Sequence, residues 1–252
     1  MSFIRIVIRT LRLLWTIAEA LLDFLWLRWR SASDISARQR AEWLHRWCRK
    51  GLPRLAFHFT TQGEPPSNGL LVANHLSYLD IIILSAITPC VFVSKREVER
   101  WPIFGFMSRM AGTIFVDRAR RAETRPAQNE MQRRLSEGLT VVLFPEATSS
   151  DGTTVLPFRS ALFEAAIGTA AGISAAHISY QVADGHPETD VCYWGEMTFV
   201  PHVAKLFSKG QVTAEVRFGE RTHHFTDRKE AARKMYEEVV QLAGKTTLVT
   251  AV

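Results

Sequence analysis

The chain has 252 residues, of which 47% are hydrophobic and 22% charged, with 10 proline and 14 glycine. That suffices for one α/β domain with an appendage, and it excludes a disordered chain, a collagen and a low-complexity polymer. The net charge is +6, and the whole excess lies in residues 1–50, with ten basic and four acidic side chains against 21 of each in residues 51–252; this favours a local element meeting an anionic surface, with no nucleic-acid partner expected.

Residues 3–30 read as a two-faced helix. Ile4, Ile8, Leu11, Trp15, Ala18, Leu22 and Leu25 recur at three- and four-residue steps, and Arg5, Arg9, Arg12, Thr16, Glu19 and Asp23 form another stripe. The longest charge-free run in this segment is Leu13 to Ala18, far short of the ~20 apolar residues a spanning helix needs. Lying in the membrane interface is the better expectation. Arg5, Arg9 and Arg12 would then face anionic headgroups, with Trp15, Trp26 and Trp29 at the headgroup–acyl boundary. A second helix is predicted over Ser36 to Lys50. Packing of both helices on the core is the competing reading, since any surface helix is amphipathic. Residues 1–50 are thus read as membrane-docking helices and 51–252 as the functional domain. A monotopic or peripheral protein on the cytoplasmic face is expected.

From residue 51 short apolar runs alternate with longer helical patterns. Strands are predicted over Leu55–Thr60, Leu70–Ala73, Val91–Ser94, Thr113–Val116, Thr140–Phe144, Ala176–Gln181 and Thr213–Phe218. Helices are predicted over Ser77–Ile87, Ile103–Met110, Ala119–Glu137, Ser160–Ala171, His202–Ser208 and Thr226–Ala243, the last with Thr226 as N-cap and Gly244 as stop. The alternation implies an α/β fold with a mixed, largely parallel sheet and flanking helices. The longest charge-free stretch, Ala165 to Ala183, holds two glycines, serines and Gln181 and is too polar for a spanning helix. Cys48, Cys90 and Cys192 form no C-x-x-C pair, so neither a disulfide framework nor a zinc site is expected. A secretory signal is not expected either, because no small-residue cleavage site follows an uninterrupted apolar core.

Three clusters carry possible chemistry. The first, Asn74-His75-Leu76-Ser77-Tyr78-Leu79-Asp80, follows the strand Leu70–Ala73, at the end where open α/β sheets place ligands. His75 and Asp80 lie five apart, which one helix would put on different faces. With His75 in the loop and Asp80 in the first helical turn, the carboxylate can hold one imidazole nitrogen and leave the other as a general base for a hydroxyl. Ser77 to Asp80 also matches a capping box, and the two roles are compatible. The second cluster, Gly112 to Arg118, is a strand ending in Asp117–Arg118. Such an arginine can clamp a phosphate, or it can belong to an ordinary surface pair. In the third, Phe144 to Gly152, an apolar strand runs into Pro145, Glu146 and small hydroxyl residues. Glu146 can bond an acceptor hydroxyl or brace the loop, and a plain turn is the alternative.

In this order and spacing the set resembles the glycerolipid acyltransferase superfamily, typified by 1-acylglycerol-3-phosphate acyltransferases. The family's N-H-x-S-x-x-D motif is matched by Asn74, His75, Ser77 and Asp80, and G-x-I-F-I-D-R by Gly112, Ile114, Phe115, Asp117 and Arg118, with Val116 as a conservative change. Lys95 to Gly105 resembles the stretch between them. The third motif, F-P-E-G-T-R-S, is matched at Phe144, Pro145, Glu146, Thr148 and Ser150, but Ala147 replaces the glycine and Ser149 the arginine. The first change demands a backbone an alanine can adopt, since a left-handed position there would be strained. The missing arginine removes one bidentate donor for an acceptor phosphate, leaving Arg118 with Lys95 or Arg159.

The resemblance implies acyl transfer from a thioester, acyl-CoA or acyl-carrier protein, to a lyso-lipid hydroxyl. His75 would be the base and Asp80 its orienting partner. Asn74, Ser77, Lys95, Arg118, Glu146 and Thr148 would bind substrate, and backbone N–H groups near Ser77 would meet the oxyanion. No metal or cofactor is implied. The acceptor first implied is 1-acylglycerol-3-phosphate, giving phosphatidic acid in phospholipid biosynthesis. Ser149 brings forward a lyso-ornithine lipid or another lysophospholipid. A catalytically inactive lipid-binding protein of this fold is the reading of another class, against which the intact His75/Asp80 pair argues.

Overall fold

The computed structural model describes residues 2–31, 33–101, 104–117 and 121–244. Two helices, α1 (Ser2–Arg30) and α2 (Ala37–Arg54), precede an alternating body. The body runs β1 (Phe57–Gln62), β2 (Gly69–Ala73), α3 (Leu79–Ile87), β3 (Cys90–Lys95), α4 (Phe104–Met110), β4 (Ile114–Val116), α5 (Arg121–Ser136) and β5 (Thr140–Leu143). It continues with β6 (Ile173–Val182), α6 (Pro187–Asp190), α7 (Phe199–Ser208), β7 (Val212–Phe218) and α8 (Arg228–Gly244). The seven strands form one sheet in the order β1-β7-β6-β2-β5-β3-β4. All neighbours are parallel except β6 and β7, so the sheet is mixed and largely parallel, as expected.

Helices cover both faces, and the strands alternate accordingly. Leu71 and Ala73 of β2 and Val142 of β5 point into the layer shared with α2, α3 and α7. Leu70, Val72, Val141 and Leu143 point into the layer shared with α5 and α8. The charge-free stretch from Ala165 holds this central strand β6, buried on both sides over most of its length. The helix expected over Ser160–Ala171 is only a 3₁₀ segment, Ala161–Ala166. Left-handed Gly168 stops it, and Gly172 leads into the strand.

The last helix is capped by Asp227 rather than Thr226. Its carboxylate accepts from the Lys229 and Glu230 N–H groups at 2.9 and 2.8 Å, and its charge suits a helix N-terminus. The second helix starts one residue after its Ser36 cap, with the full reciprocal capping box to Gln39, and runs to Arg54, past the boundary set at residue 50.

The orientation of α1 is opposite to the expectation. The arginine stripe faces the protein. Arg9 is 5% exposed and donates to the carbonyls of Phe207, Lys209 and Gly210 at the end of α7. Arg5 pairs with Asp184 at 3.0 Å, and Arg12 donates to the Arg54 carbonyl. Glu19 is held by Lys50 and Arg54 of α2, and Asp23 by Arg46. The physical reason is the partner: a helix C-terminus offers unpaired carbonyls that attract guanidinium groups. The apolar stripe is left outside, with Leu11, Trp15, Leu22 and Leu25 each more than 60% exposed. Among the described residues no helix is long and apolar enough to cross a membrane.

Candidate active site

All three sequence clusters lie at the C-terminal edge of the five-strand parallel block. The first follows β2, the third follows the adjacent β5, and the second contains β4 and reaches this edge at Asp117. At ~4.8 Å per strand, β4 is about 14 Å from β2. Lys95 ends β3 on the same edge and is exposed. Arg118, the expected headgroup clamp, lies outside the described residues.

The first cluster closes on itself around Asp80. Its side chain is wholly buried. Oδ2 accepts from His75 Nδ1 at 2.8 Å, from the Leu76 N–H at 2.7 Å and from the Ser77 N–H at 3.0 Å. Oδ1 accepts from the Tyr180 hydroxyl at 2.5 Å. A carboxylate oxygen only accepts, so Nδ1 carries the imidazole proton and Nε2 has the lone pair. The His75 side chain is 22% exposed and its ring stacks on Phe144, centroids 4.2 Å apart.

This arrangement corrects two expectations. Leu76 and Ser77 N–H groups are spent on Asp80 and do not point at an oxyanion. The capping box is only half formed: α3 begins at Leu79, and its Tyr78 cap makes no side-chain bond to the helix N-terminus. Asp80 therefore both orients His75 and ties down the loop. Ser77 is fully buried, and its hydroxyl has no partner among the described residues. Asn74 is 2% exposed. Its amide donates to the Ile178 carbonyl at 2.9 Å and accepts from the Ile178 N–H at 2.7 Å. It clamps the loop to β6 rather than facing a substrate.

The third cluster packs against the first. The Ser150 N–H donates to the His75 carbonyl at 3.0 Å. Glu146 is 4% exposed and accepts from the Leu156 N–H through Oε1 at 3.2 Å. Burial pushes its carboxyl up to about 8, opposed by the backbone N–H groups of Leu156 and His75. Of its two expected roles, bracing the loop is the one the geometry supports. Thr148 is exposed, its hydroxyl reaching only the Ser149 carbonyl at 3.5 Å. Ala147 sits at φ 65°, the left-handed region that glycine fills in the family motif. Ser149 donates its hydroxyl to the Tyr193 carbonyl.

Sequence reasoning missed Tyr180. Its one signal was weak: it is the sole tyrosine in the charge-free stretch, two residues beyond Ile178 on one strand. It also missed the aromatic group beside the loop, where Tyr78 bonds His202 Nδ1 at 3.0 Å and packs edge-on against Phe199.

The fold and site define an α/β protein with a buried carboxylate–histidine dyad at the C-terminal edge of a parallel sheet. Sequence comparison is consistent with that chemistry: a model of the acyltransferase family matches residues 54–181. The chain belongs to the acyltransferase family. It is 39% identical over 184 residues to a lyso-ornithine lipid O-acyltransferase of Brucella abortus, covering 68% of this chain and 69% of that one. To a protein of the same name from Pseudomonas aeruginosa it is 30% identical, covering 96% and 95%. A 1-acyl-sn-glycerol-3-phosphate acyltransferase of Neisseria gonorrhoeae is 40% identical over a shorter stretch, 46% of each chain. The fold matches the crystal structure of the 1-acyl-sn-glycerophosphate acyltransferase PlsC from Thermotoga maritima, with TM-score 0.66 and 19% identity, covering 98% of this chain and all of that one.

Proposed function

We propose that the protein is an O-acyltransferase that moves a fatty acyl group from a thioester, acyl-CoA or acyl-carrier protein, to the free hydroxyl of a lyso-ornithine lipid at a membrane surface. The observation that carries the chemistry is the bond from His75 Nδ1 to buried Asp80. His75 Nε2 takes the proton of the acceptor hydroxyl, whose oxygen attacks the thioester carbonyl. As the intermediate collapses, the thiolate leaves and takes the proton back from His75. Asp80 keeps the ring oriented and stabilises the transient imidazolium.

The acceptor reading rests on position 149. A serine whose hydroxyl is committed to a backbone carbonyl offers no cation to a phosphate. An ornithine headgroup carries no phosphate, and the relatives matched over most of their length bear that acceptor in their names. The Neisseria relative keeps 1-acylglycerol-3-phosphate as the second reading. One labelled acyl donor offered to lyso-ornithine lipid, lysophosphatidic acid and lysophosphatidylcholine decides between them. Preferred turnover of lysophosphatidic acid rejects the ornithine reading. His75→Ala abolishes transfer in a folded protein; near-normal turnover removes the dyad assignment.

Membrane docking is assigned to the outward apolar stripe of α1. The helix has 29 residues, about 43 Å at ~1.5 Å per residue, and it carries Leu11, Trp15, Leu22 and Leu25 exposed in a row, the kind of contiguous apolar surface that marks a contact face. Arg5, Arg9 and Arg12 are engaged with the body, so binding comes chiefly from apolar burial and depends little on salt. Leu11→Glu with Trp15→Glu releases the protein from sedimenting vesicles. Release of the parent protein by 0.5 M salt contradicts the apolar account.

A further inference from the structure

The strand β6 grips the catalytic loop at both ends. Asn74, just before His75, is paired with the Ile178 backbone. Asp80, at the far end, receives the hydroxyl of Tyr180, two residues along the same strand. Tyr180 is 7% exposed and lies opposite Ala214 of β7. Among the described residues no other group bonds Asp80 Oδ1. With Tyr180 in place all the donors of this carboxylate are protein groups: two backbone N–H, one imidazole and one phenol.

We propose that Tyr180 is a positioning residue for acyl transfer: its hydroxyl, donated from β6 to Asp80, fixes the carboxylate that orients His75 and sets how tightly the dyad holds its proton. This rests on the reading of His75 and Asp80 as the proton-transfer pair.

The physical argument has two parts. Asp80 sits on α3 and His75 in the loop before it, so their relative position depends on what holds the helix start against the sheet. The Tyr180 bond ties that start to the central strand. It also acts on charge. A hydroxyl donated to a carboxylate draws negative charge from it and makes it less basic. Without that donor the dyad holds its proton more tightly, whichever member carries it. The transfer step needs the base free, so activity survives only to a higher pH on the acid side.

Tyr180 stays a donor throughout the working range, because burial and then the Asp80 charge push its hydroxyl well above the usual tyrosine value. The other ionisable groups facing this pair come from four places. They are His75 in the loop after β2, Tyr78 at the start of α3, Glu146 after β5 and Cys192 after α6. Burial raises the Cys192 thiol to about 12 and Glu146 to about 8, so neither titrates on the acid side of neutrality.

Tyr180→Phe tests this, since it keeps the ring and removes only the hydroxyl. Expected is a kcat about tenfold lower, ~1.4 kcal/mol, with KM for donor and acceptor unchanged. The acid limb of the kcat/KM profile moves to higher pH. Replacing Tyr180 by 3-fluorotyrosine keeps the hydroxyl and strengthens it as a donor, so the limb moves to lower pH. A merely structural role moves neither limb. A Tyr180→Phe profile superimposable on the parent's overturns the assignment, as does movement of both limbs in one direction. Should Tyr180→Phe fail to fold, an unmoved limb in the fluorotyrosine protein overturns it alone. A parent protein inactive on every lyso-lipid offered counts against the acyltransferase reading instead.

Discussion

Glu146 is the side chain whose environment makes the sharpest prediction. It is 4% exposed, and burial raises its carboxyl from 4.5 to about 8. Ionising it in the folded protein therefore costs roughly 4–5 kcal/mol more than in the unfolded chain, at ~1.36 kcal/mol per pH unit. Between those two values the folded state keeps a proton that the unfolded chain has released. Stability from this group is thus complete below about 4.5, is lost as pH rises towards about 8, and is level above that. Glu146→Gln preserves the shape and cannot ionise. Urea unfolding in one detergent micelle at pH 5, 7 and 9 makes the comparison. The variant and parent should agree to within ~1 kcal/mol at pH 5, with the variant several kcal/mol more stable at pH 9. If the two proteins lose stability in parallel over this range, the carboxyl is not held neutral by burial. A neutral Glu146 also adds no second negative charge beside Asp80, which keeps the field at His75 that of one carboxylate.

Three further outcomes follow from individual residues. Ala147→Gly relieves a left-handed alanine at φ 65°, worth ~1–2 kcal/mol, against ~0.4–1 kcal/mol of extra unfolded-chain freedom. The melting temperature should rise or hold, and a clear fall contradicts the strain. Asn74→Ala strands the buried N–H and carbonyl of Ile178, so a loss of ~2–4 kcal/mol in denaturant unfolding is expected, with a displaced dyad and lower kcat. Arg9→Gln loosens α1 from the end of α7. Hydrogen exchange should quicken over residues 2–16 while β2 and β6 stay protected, and equal protection throughout shows that Arg9 is not the anchor.

Much of the body was legible because burial on both faces of a sheet forces short apolar runs. All seven strands were located to within about three residues, and their alternation with helices implied the parallel block. The ordered motifs located His75, Asp80 and the edge they occupy. The left-handed turn at Ala147 was not foreseen: the missing glycine called for a backbone an alanine adopts without strain, yet the chain keeps φ 65° there. Nor was the 3₁₀ segment at Ala161–Ala166, because the periodicity of a short apolar stretch resembles a full helix until Gly168 turns the chain. Asn74 and Ser77 belong to the motif, yet their side chains are buried. A motif records that a residue is required without saying whether substrate or backbone requires it.

The sequence by itself determined the composition of each face of α1, the order of the strands along the chain and the side-chain types of the His75/Asp80 pair. Tertiary structure alone decided which face of α1 turns outward. A two-striped helix can dock by either stripe, and here the carbonyls ending α7 and the basic side chains of α2 took the charged one. It likewise decided that Tyr180, a hundred residues beyond Asp80, completes the carboxylate's bonds. Contacts between segments so far apart are set by how the strands stack side by side, and no local pattern in the chain encodes that.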